Sequence, residues 1–263
     1  MREENKSISD TTLCERLVSL ENIQEAVKRV MADKMKPLEV SGLPAYMQEH
    51  WPGIRERIVA RNYKPIPMLH VAVPKDVAGV VLSGLHAAMD RVIQLALVQV
   101  LIPVFEPTFS DFSFGFRPNR SAEEAVKLAQ VYMSAGYRHV VEIDLSKFIG
   151  AVDLDILMCL VDKHLFDKSI RRLIFEYVKS GVISEANMIE TASGMPPEDS
   201  LSGLLLNIYL TPYDRELEHR ELRFVRYAGN CSIFTKSRMS SYRVRDNAKS
   251  FLERKLKLIE GPF

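Results

Sequence analysis

Apolar and polar positions along the chain follow two rhythms, one helical and one extended. In ENIQEAVKRVMA (21–32), Ile23, Ala26, Val27 and Val30 recur every three or four positions and mark one face of a helix. A polar, Pro-containing loop at 33–44 leads to a second helix over about 45–61, carrying Trp51 and Ile54. NYKPIP (62–67) is held extended by its prolines. HVAVPKDVAGVVLSG (70–84) reads as two strands about a turn near Asp76–Gly79. From Asp90, DRVIQLALVQVLIPVF is apolar on nearly every face, which predicts a helix buried on most sides.

Ser121 followed by Glu124 forms a capping box ahead of Ala125, Val126, Ala129, Tyr132 and Met133, so a helix starts there. HVVEIDL (139–145) alternates as a strand, with Val141, Ile143 and Leu145 on one face and Val140, Glu142 and Asp144 on the other. Asp153 caps a helix to about His164, a second helix covers 168–180, and 201–220 is a long buried helix that turns polar at its end. RFVRYAGNCSIFTK (223–236) reads as a hairpin with Gly229-Asn230 as its two-residue turn, since both residues tolerate positive φ. A helix over about 239–256 follows, and residues 1–10 read as a frayed tail. Helices and paired strands interleave without a regular βαβ rhythm, which predicts an α+β fold.

Composition adds limits. The chain has 263 residues, 47% apolar and 26% charged, which suits a globular protein with a sizeable core. No uninterrupted apolar run reaches membrane-spanning length; Val77 to Met89 is the best candidate, and Asp90-Arg91 ends it. The N-terminal MREENKSISD lacks an apolar signal core. Cys14, Cys159 and Cys231 are scattered without a CxxC pair, so neither a disulfide framework nor a zinc site is indicated, and a reduced, cytoplasmic protein is expected. His70, His86, His139 and His164 show no metal-ligand spacing. Net charge is +1, but residues 220–263 hold eleven Lys/Arg against four acids, the pattern of either a solvated face or a phosphate-contacting one.

Several segments together carry a family likeness. DRVIQLALVQVLIPVFEPTFSDFSFGFRPNRSAEEAV (90–126), with its block SFGFRPNRSA, is followed in order by VVEIDLSKF (140–148), LLLNIYL (204–210) and RFVRYA…CSIF (223–234). This series resembles bacterial group II intron reverse transcriptases, the maturase-type proteins, over roughly residues 12–258. The resemblance implies the fingers and palm of a right-hand polymerase, the palm an antiparallel sheet backed by helices. It places an N-terminal extension and the start of the fingers at 1–72 and the fingers–palm domain at 73–263, ending before a thumb. It also implies RNA as partner, with a homo-oligomer or protein partner on palm surface left uncovered.

In that family two Mg²⁺ ions are held by one Asp of the first palm strand and two adjacent ones at the hairpin tip. Asp144 matches the first; the tip positions are Gly229 and Asn230, so the catalytic carboxylates reduce to Asp144. No cofactor is then expected, and Mg²⁺ only with residual activity. A relocated metal set would draw on Asp144, Glu142, Glu198 and Asp199.

The nucleotide pocket departs as well. Lys75 is in place, but the companion Arg position is Val81; the 2′-hydroxyl-excluding aromatic is Ile149, followed by Gly150; and the Gly-Thr-Pro-Gln-Gly-Gly loop reads Gly194-Met195-Pro196-Pro197-Glu198-Asp199. Arg117, Asn119 and Arg120 match residues that meet template and nucleotide, or else organise the fingers–palm junction. Lys147 reads as a phosphate contact or a solvated lysine, and Tyr227 as a primer contact or a packing residue. Phe114, Phe116, Leu205, Ile208 and Val225 read largely as core or scaffold. The expectation is a reverse-transcriptase-like pseudoenzyme that retains RNA binding. The alternatives are an active RNA-directed DNA polymerase with altered ligands and a protein-interaction module.

Overall fold

A computed structural model describes residues 10–32, 42–65, 68–74, 80–85, 88–145, 152–180, 182–184, 188–189 and 200–258. Its helices are α1 (Asp10–Leu17), α2 (Leu20–Ala32), α3 (Leu43–Val59), α4 (Ala88–Phe105), α5 (Ala122–Ser134), α6 (Leu154–Val161), α7 (Lys168–Lys179), α8 (Ser200–His219) and α9 (Arg238–Leu256). The strands are β1 (Met68–Pro74), β2 (Val80–Leu85), β3 (His139–Asp144), β4 (Val182–Ser184), β5 (Met188–Ile189), β6 (Arg223–Tyr227) and β7 (Asn230–Thr235). They form two sheets, of order β2-β1-β4-β5 and β3-β7-β6. The chain divides into two compact units: Met1–Val104 with Val161–Ala192 and Pro196–Leu201, and Phe105–Leu160 with Ser193–Met195 and Ser202–Phe263. The expected boundary near residue 72 falls inside β1.

In the first unit, β1 and β2 pair antiparallel from Leu69↔Leu85 to Pro74↔Val80, as the two apolar runs predict, and β4 joins β1 in parallel. Polar groups lock its helices together. Asp167 caps α7 by accepting from the Ser169 and Ile170 amides, while its second oxygen accepts the Cys14 amide of α1 at 2.9 Å. Tyr63 and Tyr177 both donate to Asp90 Oδ1 at 2.9 Å, so the acid at the head of α4 serves as a buried hub. Burial and the Asp90 charge hold the Tyr63 phenol far above its ordinary pKa.

Helix α1 departs from the sequence reading, which began its first helix near residue 21. Leu13, Cys14, Leu17 and Val18 are all buried, so this short segment is helical because it packs, most directly against α2 and α7. By length and composition alone, Ala88–Thr108 is long and apolar enough to cross a bilayer, contrary to the absence of such a run expected above. Its Val92, Ile93, Leu97 and Leu101 are fully buried within the protein, the signature of a core helix.

The second unit is built on the three-stranded sheet, antiparallel throughout, with β3 paired to β7 and β7 to β6. The alternation read in β3 is realised: Val141 and Leu145 are buried, Glu142 and Asp144 exposed. Helix α5 begins at the expected capping box, with Ser121 Oγ accepting the Glu124 amide and Glu124 Oε2 accepting the Ser121 amide at 2.7 Å. Its Ala125 and Tyr132 join Phe114, Val225 and Phe234 in one apolar cluster. Leu205, Ile208 and Val225 are buried as expected, but Phe116 is 59% exposed. The cause is local: Phe116 has φ 56°, which turns its ring out to lie along α8. A Cβ on Gly203 would meet that ring at 2.6 Å, so the helix needs glycine there.

Candidate active-site position

The palm hairpin β6–β7 carries the tip at which the sequence analysis centred. Tyr227 pairs with Asn230, so the two turn residues are Ala228 and Gly229, one position earlier than the expected Gly229-Asn230. Ala228 takes the left-handed conformation, φ 52°, which costs an alanine about 1–2 kcal/mol. Two non-local contacts impose that register. Asn230 stands opposite Asp144 at the end of β3, and the Leu145 amide donates to Gly229 O at 2.7 Å, which draws Asn230 into the strand.

Beneath the tip lies a polar network that the sequence reading did not single out. Arg226, fully buried, donates from Nε and Nη2 to Asp214 of α8, the shortest contact 2.7 Å. Its Nη1 donates to Asn207 Oδ1 at 2.9 Å and to Ala228 O at 2.8 Å. Asn207 Nδ2 in turn donates to Gly115 O at 2.9 Å. One guanidinium thus holds the strained turn residue and, through Asn207, the SFGF loop. Burial lifts the Asp214 carboxyl above its ordinary pKa, and Arg226 pulls against that rise. The signal was present in the sequence: Asn207 and Asp214 lie two turns apart on one face of an apolar helix, and Arg226 shares strand parity with buried Phe224.

The loop and the tip also meet directly. The Phe114 amide donates to Arg226 O at 2.9 Å and the Arg226 amide to Phe112 O at 2.8 Å, covering the outer edge of β6. A Cβ on Gly115 would come within 2.2 Å of the Ala228 nitrogen, so only glycine fits.

The expected contact residues of that loop divide by environment. Arg117 gives its Nε and Nη2 to Glu106 and its Nη1 to the Ser110 and Ser113 carbonyls, and its side chain is 4% exposed. Four of its five N–H groups are therefore occupied within the fold. Arg120 pairs with Asp111 at 2.8 Å and lies over the Phe114 ring. Asn119 is exposed with φ 57°, and Tyr227 is 44% exposed beside the tip.

Asp144 and Asn230 are direct antiparallel partners, which sets their Cβ atoms about 5 Å apart on one face. Glu142 lies on the same face of β3, two residues back, or about 7 Å along the strand. Lys75, Lys147, Ile149, Gly150, Glu198 and Asp199 lie outside the described residues. Among the described residues no three His, Cys, Asp or Glu side chains converge to hold a metal ion. The tip offers one carboxylate and one neutral amide, and this donor set does not fit a pair of hard divalent cations.

A palm sheet of this order, with a hairpin tip facing the end of its first strand, is the polymerase arrangement, and comparison with known proteins decides the family. Residues 79–259 match the family described as Reverse transcriptase (RNA-dependent DNA polymerase). The chain belongs to that family, in its group II intron and maturase branch. Escherichia coli Protein YkfC is 30% identical over 202 residues, which cover 74% of this chain and 52% of YkfC. The Lactococcus lactis Group II intron-encoded protein LtrA is 30% identical over 178 residues, 68% of this chain and 28% of LtrA. The chain therefore spans about half the length of one relative and little more than a quarter of the other. Among solved structures, a chain of a partial Cas6-RT-Cas1–Cas2 complex shares the fold at TM-score 0.56 and 18% identity, covering 94% of this chain and 43% of its own.

Proposed function

We propose that this protein keeps the reverse-transcriptase fold and RNA binding but does not carry out two-metal polymerisation. The observation that carries this reading is the Asp144–Asn230 pair at the palm tip, with Gly229 in the adjoining turn. Polymerisation by two metals needs carboxylates that neutralise both ions while the primer hydroxyl attacks and pyrophosphate leaves. Asn230 supplies a carbonyl without charge and Gly229 supplies no side chain. Val81, which replaces a phosphate-pairing arginine in the pattern of the family, supports the same reading. The relatives include proteins named for intron maturation, which fits retention of an RNA partner after loss of the chemistry.

Primer extension on an RNA template with Mg²⁺ or Mn²⁺ tests the first half, and no extended product is expected. Extension that disappears with Asp144→Ala would establish an active polymerase with different ligands, in which Glu142, Glu198 and Asp199 become the candidates. Gel-shift titration at rising salt tests the second half. Binding that weakens steeply with salt is expected, because phosphate contacts release counterions. Absence of binding even at low salt would leave the fold without an RNA role.

A further inference from the structure

The cations of the C-terminal segment are not equivalent once placed. Arg226 is buried against Asp214, while Arg220, Arg245, Lys249 and Lys257 each face a carboxylate. Strand register gathers several of the others. His139 stands opposite Thr235 and Arg223 opposite Phe234, so Arg138, Arg223, Lys236 and Arg238 all fall at one end of the β3-β7-β6 sheet. Asp144, Asn230 and Tyr227 lie at the other end, about 17 Å away at the rise of an antiparallel strand. Among the described residues, Arg138, Arg223, Lys236, Arg238 and Arg243 have no ion-pair partner.

Two tyrosines are interleaved with these cations. Lys236 Nζ sits 4.9 Å from the centroid of the Tyr137 ring. The Arg238 and Arg245 guanidinium carbons lie 5.6 and 5.4 Å from the centroid of the Tyr242 ring, and Arg238 Nε donates to the Tyr242 hydroxyl at 2.9 Å. Tyr242 is 40% exposed and shares the outer face of α9 with Met239 and Arg243. The first turn of α9 holds Arg238 and no acid, although the positive end of a helix dipole favours acids there. The charge placement thus works against helix stability and favours an anionic partner.

We propose that this end of the palm sheet, opposite the tip, is a binding surface for single-stranded RNA. Arg223, Lys236, Arg238 and Arg243 take phosphates, and the exposed Tyr242 ring takes an unpaired base. Cations already held over an aromatic ring lose less freedom on binding, and exposed tyrosine offers a base-stacking face that a duplex cannot use. The proposal rests on the RNA-binding reading above and locates it.

The test is fluorescence anisotropy of the full chain with a labelled oligouridylate of about 20 nucleotides, long enough to cross such a surface. Arg238→Gln/Arg243→Gln is expected to weaken binding about tenfold or more at low salt and to flatten the salt dependence by roughly 0.7 per lost contact. Tyr242→Ala is expected to weaken it about 5- to 100-fold with little change in salt slope. Lys127→Gln, exposed on α5, is the control for removal of a single surface charge elsewhere, and circular dichroism verifies that each variant keeps its fold. Failure of the wild-type chain to bind at low salt overturns both the RNA reading and this location. Wild-type binding that survives these variants but is lost with Arg120→Gln overturns the location alone. Equal affinity for a duplex of the same length, insensitive to Tyr242→Ala, overturns the single-strand assignment.

Discussion

Arg226 shows how much one residue decides here. Its guanidinium satisfies Asp214, orients Asn207 and holds the carbonyl of the strained Ala228. Removing one member of a buried ion pair leaves the other charged and unsolvated, which costs about 3–5 kcal/mol. Arg226→Met or Asp214→Leu alone should each lower the free energy of unfolding by about that amount in urea titrations, whereas the double substitution should cost distinctly less. Equal losses in single and double variants would mean that the pair acts through packing instead. Gly115→Ala makes a separate demand, because its Cβ would meet backbone at Ala228. Overpacking of this kind costs about 1–3 kcal/mol, and the hairpin amides should lose hydrogen-exchange protection first.

At the scale of elements, what the sequence disclosed depended on how local the cause was. The capping box of α5 and the alternation of β3 are complete within a few residues, and both appear in the structure as read. β4 and β5 are three and two residues long, too short for any alternation to register, and they exist through pairing with β1 and each other. The tip turn was displaced by one residue because Gly-Asn is the better isolated turn, whereas pairing with Asp144 and the Arg226 contact to Ala228 fix the actual one. The Asp153 cap was legible, but its ion pair with Lys257 of the α9 C-terminus, 2.6 Å, joins residues far apart in the chain. Lys257, then the Ile156 amide, hold the Asp153 carboxyl below its ordinary pKa.

A carboxylate whose pKa falls on folding stabilises the protein above its unfolded value, about 3.9, and loses that contribution as pH drops through the folded one. Asp153→Ala should therefore cost about 1 kcal/mol at neutral pH through the lost cap, with wild type and variant converging only well below about pH 4, where the lowered folded carboxyl is itself protonated. Urea titrations at the two pH values measure the difference. Thiol reactivity reports on burial in three different elements. Cys159 of α6 is exposed, whereas Cys14 and Cys231 are buried, and burial pushes the Cys231 thiol up to about 12. A disulfide reagent should label Cys159 rapidly in the native protein and the other two only on unfolding.

For the whole molecule, the proposed absence of polymerisation chemistry is assigned either to the tip alone or also to the other departures from the family's pattern, and returning the carboxylates separates the two. Asn230→Asp would set a second acid directly opposite Asp144, and Gly229→Asp would add a third in the turn. Without metal, like charges placed opposite one another on a sheet cost up to about 1 kcal/mol, so the double variant should melt below wild type. Divalent metal should reverse that loss, since a ligand bound only by the folded state stabilises in proportion to the logarithm of its concentration over Kd. Thermal melts over a Mn²⁺ series should then show a concentration-dependent rise in the double variant and a flat line in wild type. Primer extension should remain absent even so, because Val81, Ile149 and Pro197 still stand where the pattern of the family has its nucleotide contacts. A flat melt series in the double variant would show that the palm no longer holds its acids in metal-binding geometry. Recovery of extension would assign the proposed inactivity to those two side chains.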